Sequence, residues 1–113
     1  MTTETWVQMF PGVRRRILAD GENVMLVEVH LDAGAVVPRH AHVHEQISLV
    51  HRGKLKFEMD DRTFELGTGQ AALMRSNEPH KVTALEASIA MDTFSPPRAD
   101  FRNANPPDAG IYK

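Results

Sequence analysis

Residues 38–50 read PRHAHVHEQISLV, and histidine occupies every second position from His40 to His44 before Gln46 continues the rhythm. A period of two is the signature of a β-strand, in which alternate side chains leave opposite faces. On that reading His40, His42, Gln46 and Ser48 share one face, and Glu45 points away from it. Same-face neighbours on a strand lie about 7 Å apart, close enough for two imidazoles to converge on one ion. His80 opens a later apolar segment after the turn SNEP. An antiparallel partner strand could bring it opposite the pair as a third nitrogen. Taken alone, the spacing leaves two readings open, a solvated polar face and a metal site.

The rest of the chain sets the frame for that strand. Short alternating segments recur between turn residues: VMLVEVHL (24–31), KLKFEMD (54–60), TFEL (63–66), QAALMR (70–75), HKVTAL (80–85) and ASIAMDTF (87–94). Strands at this spacing, separated by Gly, Asp and Asn, predict an all-β sandwich or barrel with little helix. No linker or low-complexity segment interrupts residues 6–98. One domain is expected over 1–113, with a barrel core at about 12–95 and an extended Pro-rich tail from 96 to 113.

Composition narrows the function classes. With 42% hydrophobic and 25% charged residues among 113, the chain has the profile of a globular protein rather than a disordered one. A net charge of −2 gives no electrostatic reason to expect nucleic acid or an anionic membrane as partner, and RRR at 14–16 is the only basic run. Cysteine is absent, which excludes disulfides, thiolate–metal sites and cysteine nucleophiles. No apolar run approaches the roughly 20 residues of a membrane span, and MTTETWVQMF lacks the basic start and apolar core of a signal peptide. A cytoplasmic location is expected.

Around the histidines, GAVVPRHAHVHEQISLVHRG resembles the first cupin motif, G(x)5HxH(x)3–4E(x)6G, with Gly34, His40, His42, Gln46 and Gly53 in register. LGTGQAALMRSNEPHKVTA resembles the second, G(x)5PxG(x)2H(x)3N, through Gly69, Pro79 and His80, with Thr83 or Ala84 where the motif has asparagine. The resemblance implies a double-stranded β-helix, a cupin barrel of two antiparallel sheets with a divalent ion inside, held by His40, His42, Gln46 and His80. Gln46 stands where the family usually carries a ligand glutamate, so all four ligands are neutral and the ion keeps its full charge. Three imidazoles and an amide admit nickel, zinc, iron, manganese or copper. His44 is expected to support the ligands rather than bind the ion.

Two flanking stretches, PGVRRRILADGENVMLVEVHLDAGA and MDTFSPPRADF, make the chain similar to the small cupins of the pectin-degradation, KdgF, type over roughly residues 11–102. Members of that group convert 4,5-unsaturated monouronates, released from pectin or alginate, into open-chain keto acids. The resemblance implies a small anionic sugar-derived substrate and places Asp92, Phe94 and Arg98 in the active site. From the residues alone, Asp92 shares a face with Ala90 and Phe94, and it is either an acid–base group or an ion-pair partner of Arg98. Arg98, held by two prolines, could fold over the cavity mouth and present its fork to a carboxylate. Val13, Arg15 and Ile17 share one face of a strand and Arg14 and Arg16 the other; some of the three arginines are expected at the surface or in a dimer contact, and one of them could bind the substrate carboxylate. Trp6 and Phe10 pack either locally or across a homodimer, which is the expected assembly. Two rivals stay open: a dioxygenase using ferrous iron, and a cupin that binds a sugar without altering it.

Overall fold

The computed structural model describes residues 5–102. Ten strands run in chain order: β1 Val7–Phe10, β2 Val13–Asp20, β3 Met25–Leu31, β4 Val36–His40, β5 Glu45–Arg52, β6 Lys54–Met59, β7 Thr63–Gly67, β8 Ala71–Met74, β9 His80–Ala84 and β10 Ser88–Ser95. They form two antiparallel sheets, six-stranded in the order β1-β2-β3-β10-β5-β8 and four-stranded in the order β4-β9-β6-β7. This is the two-sheet barrel expected of the all-β reading.

Alternation decides which side of each strand is inside. In β6, Leu55, Phe57 and Met59 are buried while Lys54 is exposed. In β5, Gln46, Ser48 and Val50 point in, and Glu45, Ile47 and Leu49 point out. The inward apolar residues, among them Val13, Met25, Val27, Val50, Leu55, Phe57 and Met74, make one core cluster between the sheets. Each large side chain buried this way contributes about 1.5–3 kcal/mol. Among the described residues no helix is long and apolar enough to cross a membrane.

The chain passes from one sheet to the other six times among the described residues, and two of these crossings shape the region of the histidines. Between β5 and β6 the crossing turns on Gly53, whose φ is +98°. A β-carbon there would also collide with the Ser88 side chain and the Ala87 carbonyl, so only glycine fits. The other crossing corrects the sequence reading of 40–50 as one strand. β4 ends at His40, residues 41–44 form a connection, and β5 begins at Glu45. The reason is topological: β4 pairs with β9 in the small sheet, whereas β5 lies between β10 and β8 in the large one. The alternation of His40, His42 and His44 therefore runs through a crossover, and strand parity is not what aligns them.

The tail also departs from expectation. Instead of continuing as an extended segment, residues Ala99–Arg102 form a 3-10 turn whose Phe101 is buried. Arg98, just before it, is 1% exposed. Phe101 lies between two guanidiniums, with Arg15 4.0 Å and Arg98 4.1 Å from its ring centre. The rest of the tail, from 103 onward, lies outside the described residues.

Candidate metal centre and active site

Three elements bring the histidines together. Antiparallel pairing of β4 with β9 sets His40 opposite His80. Their rings are 4.2 Å apart between centres, and the His42 ring, carried by the crossover, lies 5.4 Å from His40 and 5.2 Å from His80. One ligand-capable atom from each of the three lies within 4.8 Å of the others, so His40, His42 and His80 could hold a metal ion. All three are buried.

The hydrogen bonds fix which nitrogen faces inward. Each Nδ1 sits against a main-chain carbonyl two residues away: His40 on Pro38 at 2.7 Å, His42 on His44 at 3.0 Å, and His80 on Glu78 at 2.8 Å. A carbonyl only accepts, so Nδ1 carries the proton and donates. Burial, with the charge of Arg98 and the charge His80 would carry if protonated, pushes His40 down to about 3 and His42 to about 4, and burial lowers His80 too. The three rings are therefore neutral near pH 7, and each Nε2 presents a lone pair.

A cation fits this donor set, and three observations say so. His80 Nε2 is buried without a hydrogen-bond partner. Gln46 gives its amide N–H to Ser48 Oγ at 3.0 Å, which turns its carbonyl oxygen toward His42 Nε2, also at 3.0 Å. Two acceptors facing each other at that distance repel unless a positive charge lies beside them. Ligands sharing one ion through bonds of about 2.1 Å are naturally about 3 Å apart. The Nδ1–carbonyl bonds are also the kind of outer support that orients imidazole ligands on an ion.

His44 contributes through its main chain, since its carbonyl holds His42 Nδ1. Its ring is only half-buried and stands outside the three-imidazole cluster.

One cavity joins these groups, lined by His40, Gln46 and His80 together with Asp92, Phe94 and Arg98. The register of β10 against β5 places Asp92 beside Ser48 and Phe94 beside Gln46. Ser48 Oγ donates to Asp92 Oδ1 at 2.7 Å. A continuous hydrogen-bonded path thus runs Gln46–Ser48–Asp92. Burial pushes the Asp92 carboxyl up to about 6, against the opposing pull of the Ser48 hydroxyl and the Arg98 charge.

A cupin-domain family model matches residues 27–92, which contain both histidine motifs. The chain belongs to the cupin family. Over 98 residues this cupin is 38% identical to the pectin degradation protein KdgF of Dickeya dadantii (strain 3937), covering 85% of the chain and 89% of that protein. Among solved structures, KdgF from Halomonas sp. superposes with a TM-score of 0.81 at 35% identity, covering 86% of this chain and 90% of that one. An RmlC-like cupin from Shewanella frigidimarina superposes equally well, at 0.81 and 28% identity over 88% and 97% of the two chains.

Of the two sequence-level readings of Asp92, the structure carries the first further. Asp92 takes its hydrogen bond from Ser48, while Arg98 Nε and Nη2 go to the two carboxylate oxygens of Asp100 at 3.0 and 2.9 Å. Arg98 does not close over the mouth from outside; it is sunk into the cavity wall, 4.1 Å from the Phe101 ring centre and 5.1 Å from that of Phe94. Two of these participants escaped sequence reasoning. Asp100 and Phe101 sit in a Pro-rich run with no periodicity, and only their closeness to Arg98 in sequence could have raised them. Ser48 was visible as an inward residue, but its bond to Asp92 depends on a strand pairing 44 residues apart.

The arginine run divides as its parity required. Arg15 is buried beside Phe101, while Arg14 and Arg16 lie on the outer face against Trp6, with Arg16 also bonded to Glu28 at 3.0 Å. Trp6 packs on its own chain, its ring centre 4.7 Å from that of His30. Phe10 packs against the core.

Proposed function

We propose that this cupin is a metal-dependent enzyme that converts 4,5-unsaturated monouronates from pectin or alginate breakdown into open-chain keto acids. The observation that carries the reading is the path Gln46–Ser48–Asp92, which ties a carboxyl ionising near neutrality to the imidazole cluster in one cavity. The likeness to KdgF proteins supplies the substrate class.

A divalent ion held by His40, His42, His80 and Gln46, whether nickel, zinc, iron, manganese or copper, would supply Lewis-acid polarisation of substrate oxygens, undiminished by any charged ligand. Asp92 handles the proton. In such a substrate the ring oxygen joins C1, which bears a hydroxyl, to C5, which bears the alkene and the carboxylate. Asp92 takes the C1 hydroxyl proton as the bond from C1 to the ring oxygen breaks. C1 becomes an aldehyde, and the former ring oxygen becomes the enolate oxygen on C5. Delivery of the proton to C4 completes the C5 ketone, so the product is an isomer of the substrate. An acid near 6 is mostly ionised at pH 7, yet it regains a proton readily, which suits a group acting in both directions.

Arg98 holds the substrate carboxylate, and Phe94 walls the pocket beside the ligands. The outward Ile47, Leu49 and Leu73, each exposed and Ile47 directly opposite Leu73, favour a homodimer through the large sheet. A cytoplasmic location accompanies the reading. The decisive variant is Asp92→Asn. Turnover of the unsaturated monouronate should vanish with metal content unchanged, and a fully active variant would remove Asp92 from the mechanism.

A further inference from the structure

Gln46 poses a problem that a carboxylate ligand would not. A carboxylate has two like oxygens, whereas an amide has one end that binds a cation and one that repels it. Turned end for end, the Gln46 amide would give an N–H to the lone pair of His42 Nε2, from which its oxygen now stands 3.0 Å away. That bond would cover the nitrogen an ion needs. Without an ion it is favourable, so another group must hold the amide oxygen toward His42.

We propose that Ser48 is a positioning residue that sets this polarity: its single hydroxyl proton goes to Asp92, so toward Gln46 it only accepts, and the Gln46 amide must turn its N–H to Ser48 and its oxygen to the metal site. The proposal rests on the metal centre of the reading above and not on its substrate. Ser48 is 2% and Gln46 6% exposed, so neither depends on bulk water for its partners. Both side chains leave the same face of β5, and Gln46 Nε2 donates to Ser48 Oγ at 3.0 Å. Pairing of β5 with β10 puts Asp92 opposite Ser48, where Oγ donates to Oδ1 at 2.7 Å. An ionised carboxylate accepts only, so the hydroxyl proton has one destination. The cross-strand neighbours of Gln46 are Phe94 on β10 and Met74 on β8, and that of Ser48 on β8 is Ala72. No side chain paired across from Gln46 therefore offers a rival bond. In the reversed amide the Gln46 oxygen would face the Ser48 oxygen with no proton between them, leaving a buried acceptor without a partner. Removing the hydroxyl removes this bias. In Ser48→Ala the amide can turn and donate to His42, and an incoming ion must break that bond and rotate the amide before it gains both ligands.

The test is a double-mutant cycle on zinc affinity, read by competition with a chromophoric chelator, in wild type, Ser48→Ala, Gln46→Ala and the double variant. Loss of a group that orients a ligand should weaken zinc binding in Ser48→Ala by about 10- to 100-fold. In the Gln46→Ala background, with no amide left to orient, the same substitution should change affinity by no more than about twofold. Ser48→Thr, which keeps a hydroxyl, should bind zinc more tightly than Ser48→Ala. Urea unfolding with chelator present reports whether each variant is folded. Undiminished zinc binding by Ser48→Ala overturns the proposal. An equal loss in both backgrounds also overturns it, because Ser48 would then act by a route other than Gln46. Zinc binding and stability lost together in Ser48→Ala, with neither recovered in Ser48→Thr, would make the role structural and overturn it as well. If wild type binds no zinc, the metal centre fails first and this proposal with it. If wild type binds zinc but leaves the unsaturated monouronate untouched, only the substrate reading fails, and the cycle still decides the role of Ser48.

Discussion

Asp92→Asn, studied without metal, turns the half-buried acid into a measurable stability. In the native chain the Asp92 carboxyl ionises at about 6, against an ordinary 3.8 once the protein unfolds. Between those two pH values the native state keeps the proton and the unfolded chain has lost it, so stability falls as pH rises. The slope is about 1.4 kcal/mol per pH unit, which over this gap amounts to about 3 kcal/mol. Below pH 3.8 both states are protonated and the penalty is absent; above about pH 7 it is complete and constant. Asparagine keeps the shape and an acceptor for the Ser48 hydroxyl but cannot ionise. The stability of Asp92→Asn relative to wild type should therefore climb by about 3 kcal/mol between about pH 4 and about pH 8. Urea titrations of both proteins with chelator present, at several pH values across that range, read the difference directly. A difference that stays flat with pH would refute the reasoning, because Asp92 would then ionise like a solvated carboxylate.

Other outcomes follow from single groups in the structure. His80→Ala should abolish the thermal stabilisation that added metal gives wild type, which at about a hundredfold excess over Kd is worth about 2.7 kcal/mol, read by melting with and without metal. Phe101→Ala removes a buried ring between two guanidiniums and should cost about 3–5 kcal/mol in urea unfolding; a loss under about 1 kcal/mol would mean that the turn does not anchor the chain. Leu49→Lys, on the exposed face of β5, should break the proposed homodimer to monomer in sedimentation while metal content holds, and a wild type that sediments as a monomer would remove the dimer from the account.

Much of the barrel was legible because half-buried strands write their two faces into the sequence. Leu55, Phe57 and Met59 announce β6, and the opposition of Gln46 to Glu45 survives in the structure because both lie within β5. The break at 41–44 was hidden for the same reason. The histidines that line a crossover happen to continue a period of two, and periodicity cannot tell a strand from a turn whose bends bring alternate residues inward. Arg15 illustrates the reverse case. Parity with Val13 and Ile17 placed it inside, but no local feature of RRR tells that an aromatic ring 86 residues later would cover it. Prolines after Phe94 argued against strand and were right in that. They carried no sign of the 3-10 turn, whose formation depends on Phe101 finding the barrel. The histidine cluster could be anticipated from HxH and a distant His80, yet the carbonyl that holds each Nδ1 emerges only once the backbone is placed.

The most direct test of the central claim is an ultraviolet time course on a 4,5-unsaturated monouronate prepared with a polysaccharide lyase. Purified protein should remove the conjugated alkene's absorbance faster than the spontaneous rate. Chelation should stop it, and restored metal should revive it. An unchanged trace from protein shown to contain its metal would contradict the account of the substrate.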